Sequence, residues 1–597
     1  MIAAAGALVL AVAILSLSWP RYHDGALMEY LAWSIRHGNR PYVDLFDMQF
    51  PGTYVFFCVG QYIFGTGDVS FRVRDLIVLT AGCYGMYRLL RPFGREASSV
   101  AVILLATRYL VYGGAEQSLQ RDWLVALLVI GAVALLMDDT ARRWKLVTAG
   151  VFFGYACTIK PHAVVFLALA PIILWLADRG RSPTEAPRTS SALRQCVLVF
   201  AGAIAIIGAI IGWLVVSGSW SAFVWMATKY LPLYTHLDSG GHELGSTADA
   251  LRSSFTLARG RPEVPLLGFG ALVLLLRHRP AEQVARLAAL TLVLLAGFAY
   301  AVLEIKNWPY HFWPFVLANV ALVAVAISDV RARRWTSWKR PIATWASKIC
   351  SFAFLVCFCR EVGFTARAVS NQVSANQHVY FRDLLPRLWL VAIFLPLVLL
   401  AVADLAHASV FSEFYKVESA GVPGLAWSAA VVVTVAVPLL IGSISAVSIT
   451  VDRDGSAEFS SPYVAGITNR NEYVGELLQA RAQPGDRVQI LDTTGGAADI
   501  ALRAGLQPAS RFVEDFHFYH DVNSGVNAKL RRELMADLLR NQPRFILFFR
   551  RSWYVRMNYD DVARFPELAR YLTRYRIIFE DGDMRVLEHA KQNAQPQ

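Results

Sequence analysis

The sequence predicts a polytopic α-helical membrane protein of about thirteen spans that ends in a small C-terminal α/β domain. Three observations carry this expectation. The 597 residues are 55% hydrophobic and only 17% charged, with a mean hydropathy of +0.41, whereas a soluble chain carries about 25% charge. Apolar runs of roughly 17–25 residues, the length that crosses a bilayer as helix, recur along most of the chain. From about Asp452 the pattern changes to short strands alternating with helices, the signature of an α/β fold.

The spans expected in order are Ile2–Trp19, Arg74–Leu90, Ser98–Tyr112, Arg121–Met137, Leu146–Cys157, His162–Ala177, Val197–Val216, Val264–Leu276, Leu287–Leu303, Trp313–Ser328, Ile342–Cys359, Leu388–Ala406 and Ala426–Val447. Cations cluster between them: Arg88, Arg91 and Arg95; Arg142, Arg143 and Lys145; Arg179, Arg181, Arg188 and Arg194; Arg277, Arg279 and Arg286; Arg331, Arg333, Arg334, Lys339 and Arg340. The positive-inside rule places these clusters in the cytoplasm. An odd span count then puts the N-terminus inside and the tail outside. The net charge of +12 is therefore a loop property and argues against nucleic acid as a partner. The first run lacks a basic leader and ends in Ser18-Trp19-Pro20, which reads as a retained helix rather than a cleaved signal.

Between the spans, residues 20–73 form a long outer loop. Gly25–Gly38 carries Leu27, Tyr30, Leu31 and Ile35 at helical spacing, with Glu29 and Arg36 off that stripe, and is expected to be an interfacial helix. Pro51–Phe64 is apolar and aromatic but short for a span. The other outer stations are Gly113–Gln120, the turn at Lys160-Pro161, Ser217–Pro262, Glu304–His311 and Arg360–Pro386. The seven cysteines lie in or beside apolar runs without metal-ligand spacing, as buried small hydrophobes do. A membrane part over residues 1–450 and an outer domain over 451–597 follow. In the latter, Val488–Leu491, Phe545–Phe549, Arg576–Phe579 and Met584–Glu588 read as strands. Ala497–Ala504, Ala528–Arg540 and Pro566–Thr573 read as helices. Asp492-Thr493-Thr494-Gly495-Gly496 follows a strand but lacks the Gly-Lys-Ser/Thr of a phosphate loop.

Chemistry-bearing residues gather on the outer side. Asp24 follows the first span, Glu116 and Arg121-Asp122 precede the fourth, Lys160 follows the fifth, and Lys306-Asn307-Trp308-Pro309-Tyr310-His311 leads into the tenth. An acid at the mouth of a span is costly and points to function. Acids, lysines, a histidine and aromatics around one outward space suit transfer of a sugar from a phosphate leaving group. A carboxylate takes the acceptor hydroxyl's proton, and fixed cations stabilise the departing phosphate.

At these residues the chain resembles the GT-C membrane glycosyltransferases, in particular the bacterial protein O-mannosyltransferase-like and aminoarabinose-transferase-like branch. Asp24 matches the first-loop acid. Gly38-Asn39-Arg40-Pro41-Tyr42-Val43-Asp44-Leu45-Phe46-Asp47 followed by Pro51-Gly52-Thr53-Tyr54 is similar to the family's G-x-x-P-Y-x-D-F-F-D…P-P-G-x-Y run. Arg121-Asp122 matches its second acid, Lys160 its outer-turn lysine, and Lys306 to Pro314 its W-P-Y-H-Y…P segment. Two positions depart: Gly25 stands where the family often has Glu, and Gly52 where it has the second proline. The lost carboxylate leaves use of a divalent metal open.

The resemblance implies a glycosyltransferase of a bacterial inner membrane, working at the periplasmic face with its C-terminal domain outside. The donor would be a polyprenyl-phosphate-linked sugar. The acceptor would be a hydroxyl on lipid A, polysaccharide, glycolipid or protein. Asp24 is the expected base, against a reading as a helix-capping acid. Asp122 would orient the acceptor, share the base role or bind a metal, unless it merely pairs with Arg121. Lys160, Lys306 and His311 are expected at the donor phosphate or sugar, with Glu116, Tyr310 and Trp308 as further substrate contacts. Asp44 and Asp47 are expected to structure the loop. A flippase for lipid-linked sugars and a non-catalytic membrane scaffold are the alternatives; mid-span charges and internal repeats would favour the former.

Overall fold

The computed structural model describes residues 2–110, 114–138, 142–180, 192–238, 240–259, 263–277, 279–331, 349–359, 394–402 and 462–589. Helices dominate up to residue 331. They are α1 Ile2–Leu15, α2 Asp24–Arg36, α3 Pro51–Phe64, α4 Asp68–Leu90, α5 Arg95–Leu110, α6 Arg121–Leu136, α7 Arg143–Ile159, α8 Val164–Ala168, α9 Ala170–Arg179 and α10 Ala192–Val216. They continue with α11 Trp220–Trp225, a π-helical turn Met226–Tyr230, α12 Leu231–Thr235, α13 Thr247–Arg259, α14 Glu263–Leu275, α15 Ala281–Leu303 and α16 Trp313–Arg331. Among the described residues, four helical stretches are long and apolar enough to cross a membrane by length and composition: Pro161–Arg179, Ala192–Val216, Ala281–Leu303 and Pro309–Asp329. The expected thirteen are thus not all seen as spans. The span Ala426–Val447 and much of Ile342–Cys359 and Leu388–Ala406 lie outside the described residues, as does the Arg360–Pro386 station.

Helix α4 begins six residues before the expected span because its first turns carry paired charges. Arg72 bonds Asp75 at 2.9 Å, and Arg74 reaches Glu29 of α2 at 2.7 Å. Glu29, placed off the apolar stripe by periodicity, is fully buried. Gln61 of α3 also donates to it at 2.9 Å. Small residues let α7 and α10 touch backbone to backbone: a Cβ on Gly150 would lie 1.9 Å from the Val199 carbonyl oxygen, and one on Gly202 2.2 Å from that of Val147. This is how helices associate where lipid removes the hydrophobic drive. The stretch 217–259 contains α11 to α13. Its helices are short and interrupted by Pro232, so no apolar run announced them.

The C-terminal region forms a five-stranded sheet of β1 Arg487–Leu491, β2 Gln507–Pro508, β3 Phe545–Phe549, β4 Tyr575–Glu580 and β5 Met584–His589, in the order β2-β1-β3-β5-β4. β1 runs parallel to β2 and β3, while β5 is antiparallel to β3 and β4. The apolar runs Val488–Leu491 and Phe545–Phe549 are the buried centre, as expected of strands covered on both faces. Helices Pro462–Arg481, Gly496–Ala504, Gly525–Asn541 and Pro566–Leu572 accompany them.

This region is clamped onto the first loop. Arg21 bonds Asp499 at 3.1 Å with both side chains buried. Asp68 bonds Arg503 at 2.8 Å. Tyr30 donates to the Leu506 carbonyl at 3.0 Å, and Asn39 to Gln507 at 2.6 Å. The Phe46 amide donates to the Arg511 carbonyl at 2.5 Å, forming a parallel bridge of Phe46 with Phe512.

Candidate active site

Asp24 occupies the first turn of α2. His23 before it has φ +50° and ψ −129°, a strained setting that such turns reserve for functional positions. The Asp24 carboxylate accepts from Arg121 Nη2 at 2.8 Å and contacts His23 Nδ1 at 2.9 Å. Burial alone would raise this carboxyl. The Arg121 guanidinium and the His23 imidazole outweigh it and hold Asp24 well below the usual carboxylate range. Asp24 thereby occupies the first turn of a helix, as the capping reading requires, but its side chain is turned to Arg121 rather than to backbone amides.

Arg121 and Asp122 open α6, and successive helical residues diverge in direction. Arg121 goes to Asp24. Asp122 instead accepts from the Tyr300 hydroxyl at 2.7 Å and lies 3.7 Å from Lys160 Nζ. The expected alternative of an Arg121–Asp122 pair is therefore not what forms. Lys160 ends α7 and bonds Glu304 Oε2 at 2.7 Å. Glu304, just past α15, also contacts His162 Nδ1 at 3.0 Å, and His311 Nε2 stands 3.8 Å away. Burial raises the Glu304 carboxyl, but Lys160 and His162 outweigh it and keep it well below its ordinary value.

Asp122, Glu304 and His311 each bring one ligand atom within 4.8 Å of the others. Asp122 Oδ2 and His311 Nδ1 are buried without a hydrogen-bond partner among the described residues. Two carboxylates and an imidazole are a donor set that suits a divalent cation. The Lys160 ammonium competes for the same two carboxylates.

The two family departures have steric causes. A Cβ on Gly25 would lie 2.8 Å from the Phe71 ring, and one on Gly52 2.3 Å from Thr158 Oγ1 and 2.8 Å from the Thr158 carbonyl oxygen. Tyr155 also donates to the Gly52 carbonyl at 2.9 Å. The absence of a side chain at 52 seats α3 against the turn that presents Lys160.

The other expected residues divide. Tyr310 is buried with its hydroxyl unpartnered among the described residues. Trp308 packs on Tyr310 and His311 with ring centroids 5.5 and 5.6 Å apart. It also meets Trp553 of the C-terminal region edge-on at 6.0 Å. Lys306, expected at the phosphate, is engaged elsewhere. It donates to the Tyr234 carbonyl at 2.9 Å and to that of Leu237, with its ammonium over the Tyr234 and Trp553 rings. Burial pushes it down to about 7. Glu116 is exposed on a short 3-10 turn. Asp44 pairs with Arg40 at the surface, 2.9 Å apart. Asp47 is buried, accepts from Tyr54 at 2.9 Å and from the Met48 amide at 2.6 Å, and is pushed up to about 6 by burial. Glu304, His162, Tyr300 and Arg121 join the cluster although sequence reasoning gave them no role of their own. Glu304 and Arg121 adjoin singled-out motifs, whereas Tyr300, inside an apolar run, carried no signal.

Residues 51–213 match the family model described as dolichyl-phosphate-mannose-protein mannosyltransferase. Among curated proteins none matches the chain. Among solved structures, ArnT from Cupriavidus metallidurans in the apo state superposes with a TM-score of 0.52 at 14% identity, covering 100% of this chain and 99% of that one. The same protein bound to undecaprenyl phosphate gives 0.49 at 15% identity, with 100% and 99% covered. The archaeal oligosaccharyltransferase AglB from Archaeoglobus fulgidus, in complex with an inhibitory peptide and a dolichol-phosphate, gives 0.35 at 11% identity, with 91% and 69% covered. The chain thus has the fold of the ArnT-type GT-C glycosyltransferases and carries, at residues 51–213, a segment similar to the mannosyltransferase family.

Proposed function

We propose that this protein is a membrane glycosyltransferase that moves a sugar from a polyprenyl-phosphate carrier to a hydroxyl-bearing acceptor at the periplasmic face of a bacterial inner membrane. The observation that carries the reading is the juxtaposition of two carboxylates, Asp24 and Asp122, each set against a cation, Arg121 and Lys160. The match of 51–213 to a family named for a dolichyl-phosphate-sugar donor supports the carrier class. All four groups stand at helix ends, α2, α6 and α7, where a lipid-borne phosphate would arrive at the membrane surface.

In the free protein the Arg121 pairing makes Asp24 a weak base. A general base works best with a proton affinity near the operating pH. A donor phosphate that draws Arg121 to itself would release Asp24 to accept the acceptor hydroxyl's proton as the oxygen attacks the anomeric carbon. Arg121 and Lys160 would then face the phosphate charge that develops as the sugar leaves. Tyr300 holds Asp122 on its other oxygen.

The test is sugar transfer by the full-length protein in lipid, with labelled polyprenyl-phosphate sugars and a crude envelope acceptor extract. Asp24→Asn is expected to cut turnover by about 10²–10⁴-fold, the usual worth of a general base, with donor binding retained. Lys160→Ala is expected to weaken donor binding. Turnover by Asp24→Asn at the wild-type rate would remove the base role.

A further inference from the structure

Glu514 lies in the C-terminal region, on the segment that follows β2 and passes under the first loop. The Phe46–Phe512 bridge ties this segment to residues 40–50, with the two rings 5.5 Å apart. Asp47 leaves that bridge one residue later on one side, and Glu514 two residues later on the other. Glu514 is only 8% exposed. Its Oε2 has no hydrogen-bond partner among the described residues, and His517 Nε2 stands 4.0 Å away. His517 is itself held by the Tyr230 hydroxyl, which also contacts His520 at 3.2 Å.

Asp47, Asp24, Arg121 and Asp492 act electrostatically on Glu514, and the Phe46–Phe512 bridge holds its segment against the first loop, so it lies within electrostatic range of the proposed base. Tyr310, whose hydroxyl is also buried and unpartnered, faces Asp24, Arg121, Tyr234 and Asp122. Two orphan oxygens, one from the helical part and one from the C-terminal region, thus lie within electrostatic range of Asp24. A buried polar group without a partner is costly, and a bound ligand is one way to supply the missing bond. Burial, together with the charges of Asp47 and Asp24, pushes the Glu514 carboxyl well above its ordinary range. A neutral carboxyl both donates and accepts, and a phenol does the same, which is the partner set a polyhydroxylated ring satisfies.

We propose that Glu514 is a substrate-binding residue that hydrogen-bonds ring hydroxyls of a sugar held beside Asp24, so that the C-terminal region takes part in selecting the sugar. This rests on the glycosyltransferase reading above. The sugar could be that of the donor or that of the acceptor, and the two sources are separable by kinetics.

The experiment uses full-length protein reconstituted in lipid, labelled polyprenyl-phosphate hexoses as donor and envelope extract as acceptor, with KM measured for each. Glu514→Ala is expected to raise one KM by about tenfold or more, as loss of a bond to a substrate hydroxyl does, with kcat changed far less. The substrate whose KM moves is the one Glu514 holds. Glu514→Gln, which still donates and accepts, should stay within about threefold of wild type. Glu514→Asp, which keeps the carboxyl and shortens the reach, should fall between the two and covers the case in which Glu514→Ala does not fold. Unchanged KM for both substrates in Glu514→Asp and in folded Glu514→Ala, whatever happens to kcat or thermal stability, would overturn the proposal while leaving the transferase standing. Wild-type protein that neither binds nor transfers any of the hexoses would overturn both.

Discussion

Single side chains set the proton affinity at this site. Asp24 is buried, which by itself would favour its neutral form, yet Arg121 and His23 hold it ionised. Removing the guanidinium removes the dominant stabiliser of the charged form, so the carboxyl must rise. An Arg121→Gln protein is expected to show the acid limb of its kcat/KM–pH profile, which reports the free enzyme, moved to higher pH by about 1–3 units, the usual effect of a neighbouring opposite charge. An unmoved limb would mean that Asp24 does not titrate in the rate. Gly495 acts on the same carboxylate through backbone. It has φ +78°, and a Cβ there would lie 2.2 Å from the His23 carbonyl oxygen. Gly495→Ala should therefore displace His23 and tilt Asp24, at a cost of about 1–3 kcal/mol for the strained backbone, and should lower kcat more than donor affinity. Donor titration alongside turnover separates the two.

Among the elements, α2, α3 and α4 are joined by one buried acid. Glu29 accepts from Arg74 at 2.7 Å and from Gln61 at 2.9 Å. A buried ion pair adds little over a well-packed apolar pair, but breaking it strands the partner charge. Glu29→Ala is expected to destabilise the fold by about 3–5 kcal/mol, read as a lower thermal midpoint in detergent. The double variant Glu29→Met, Arg74→Leu should recover most of the loss. Periodicity predicted α2 and placed Glu29 off its apolar face, because a helical stripe assumes one buried side. The helix is in fact covered by α3 on one flank and by helix Gly496–Ala504 on the other, so its polar side is buried as well.

In the whole molecule, the C-terminal region grips the first loop. Asp499 is the centre of that grip: it pairs with Arg21 at 3.1 Å and with Arg503 at 2.9 Å, while Asn471 donates to it at 3.3 Å. Asp499→Ala removes one of the two carboxylates that buried Arg21 meets, Asp68 at 3.0 Å being the other, and loosens the seat of Gly495 four residues earlier. Transfer should fall strongly, and limited proteolysis should cut the first loop or the 482–510 stretch sooner than in wild type. Equal proteolysis and activity would show that the grip is not needed. Lys306 braces the 217–259 stretch from the other side, through the Tyr234 and Leu237 carbonyls.

The sequence by itself determined the helical membrane class, four of the five strands of the sheet to within a residue or two, the two-residue β2 being missed, and the stations around which the candidate site gathers. Each of these rests on local information: apolar length, two-residue and 3.6-residue periods, and acids beside apolar runs. It did not reveal the partners. Tyr300 sits in an apolar run like any core aromatic, and only the tertiary structure brings its hydroxyl to Asp122. Lys306 and Lys160 look alike in sequence, yet one is spent on loop carbonyls and the other on Glu304 and Asp122. Glu514 carried no local signal at all, because its place beside Asp24 depends on a bridge between residues 46 and 512. Pairings of that sequence separation are fixed by long-range backbone hydrogen bonds and by the exclusion of side chains at Gly25, Gly52 and Gly495, which only the tertiary structure decides.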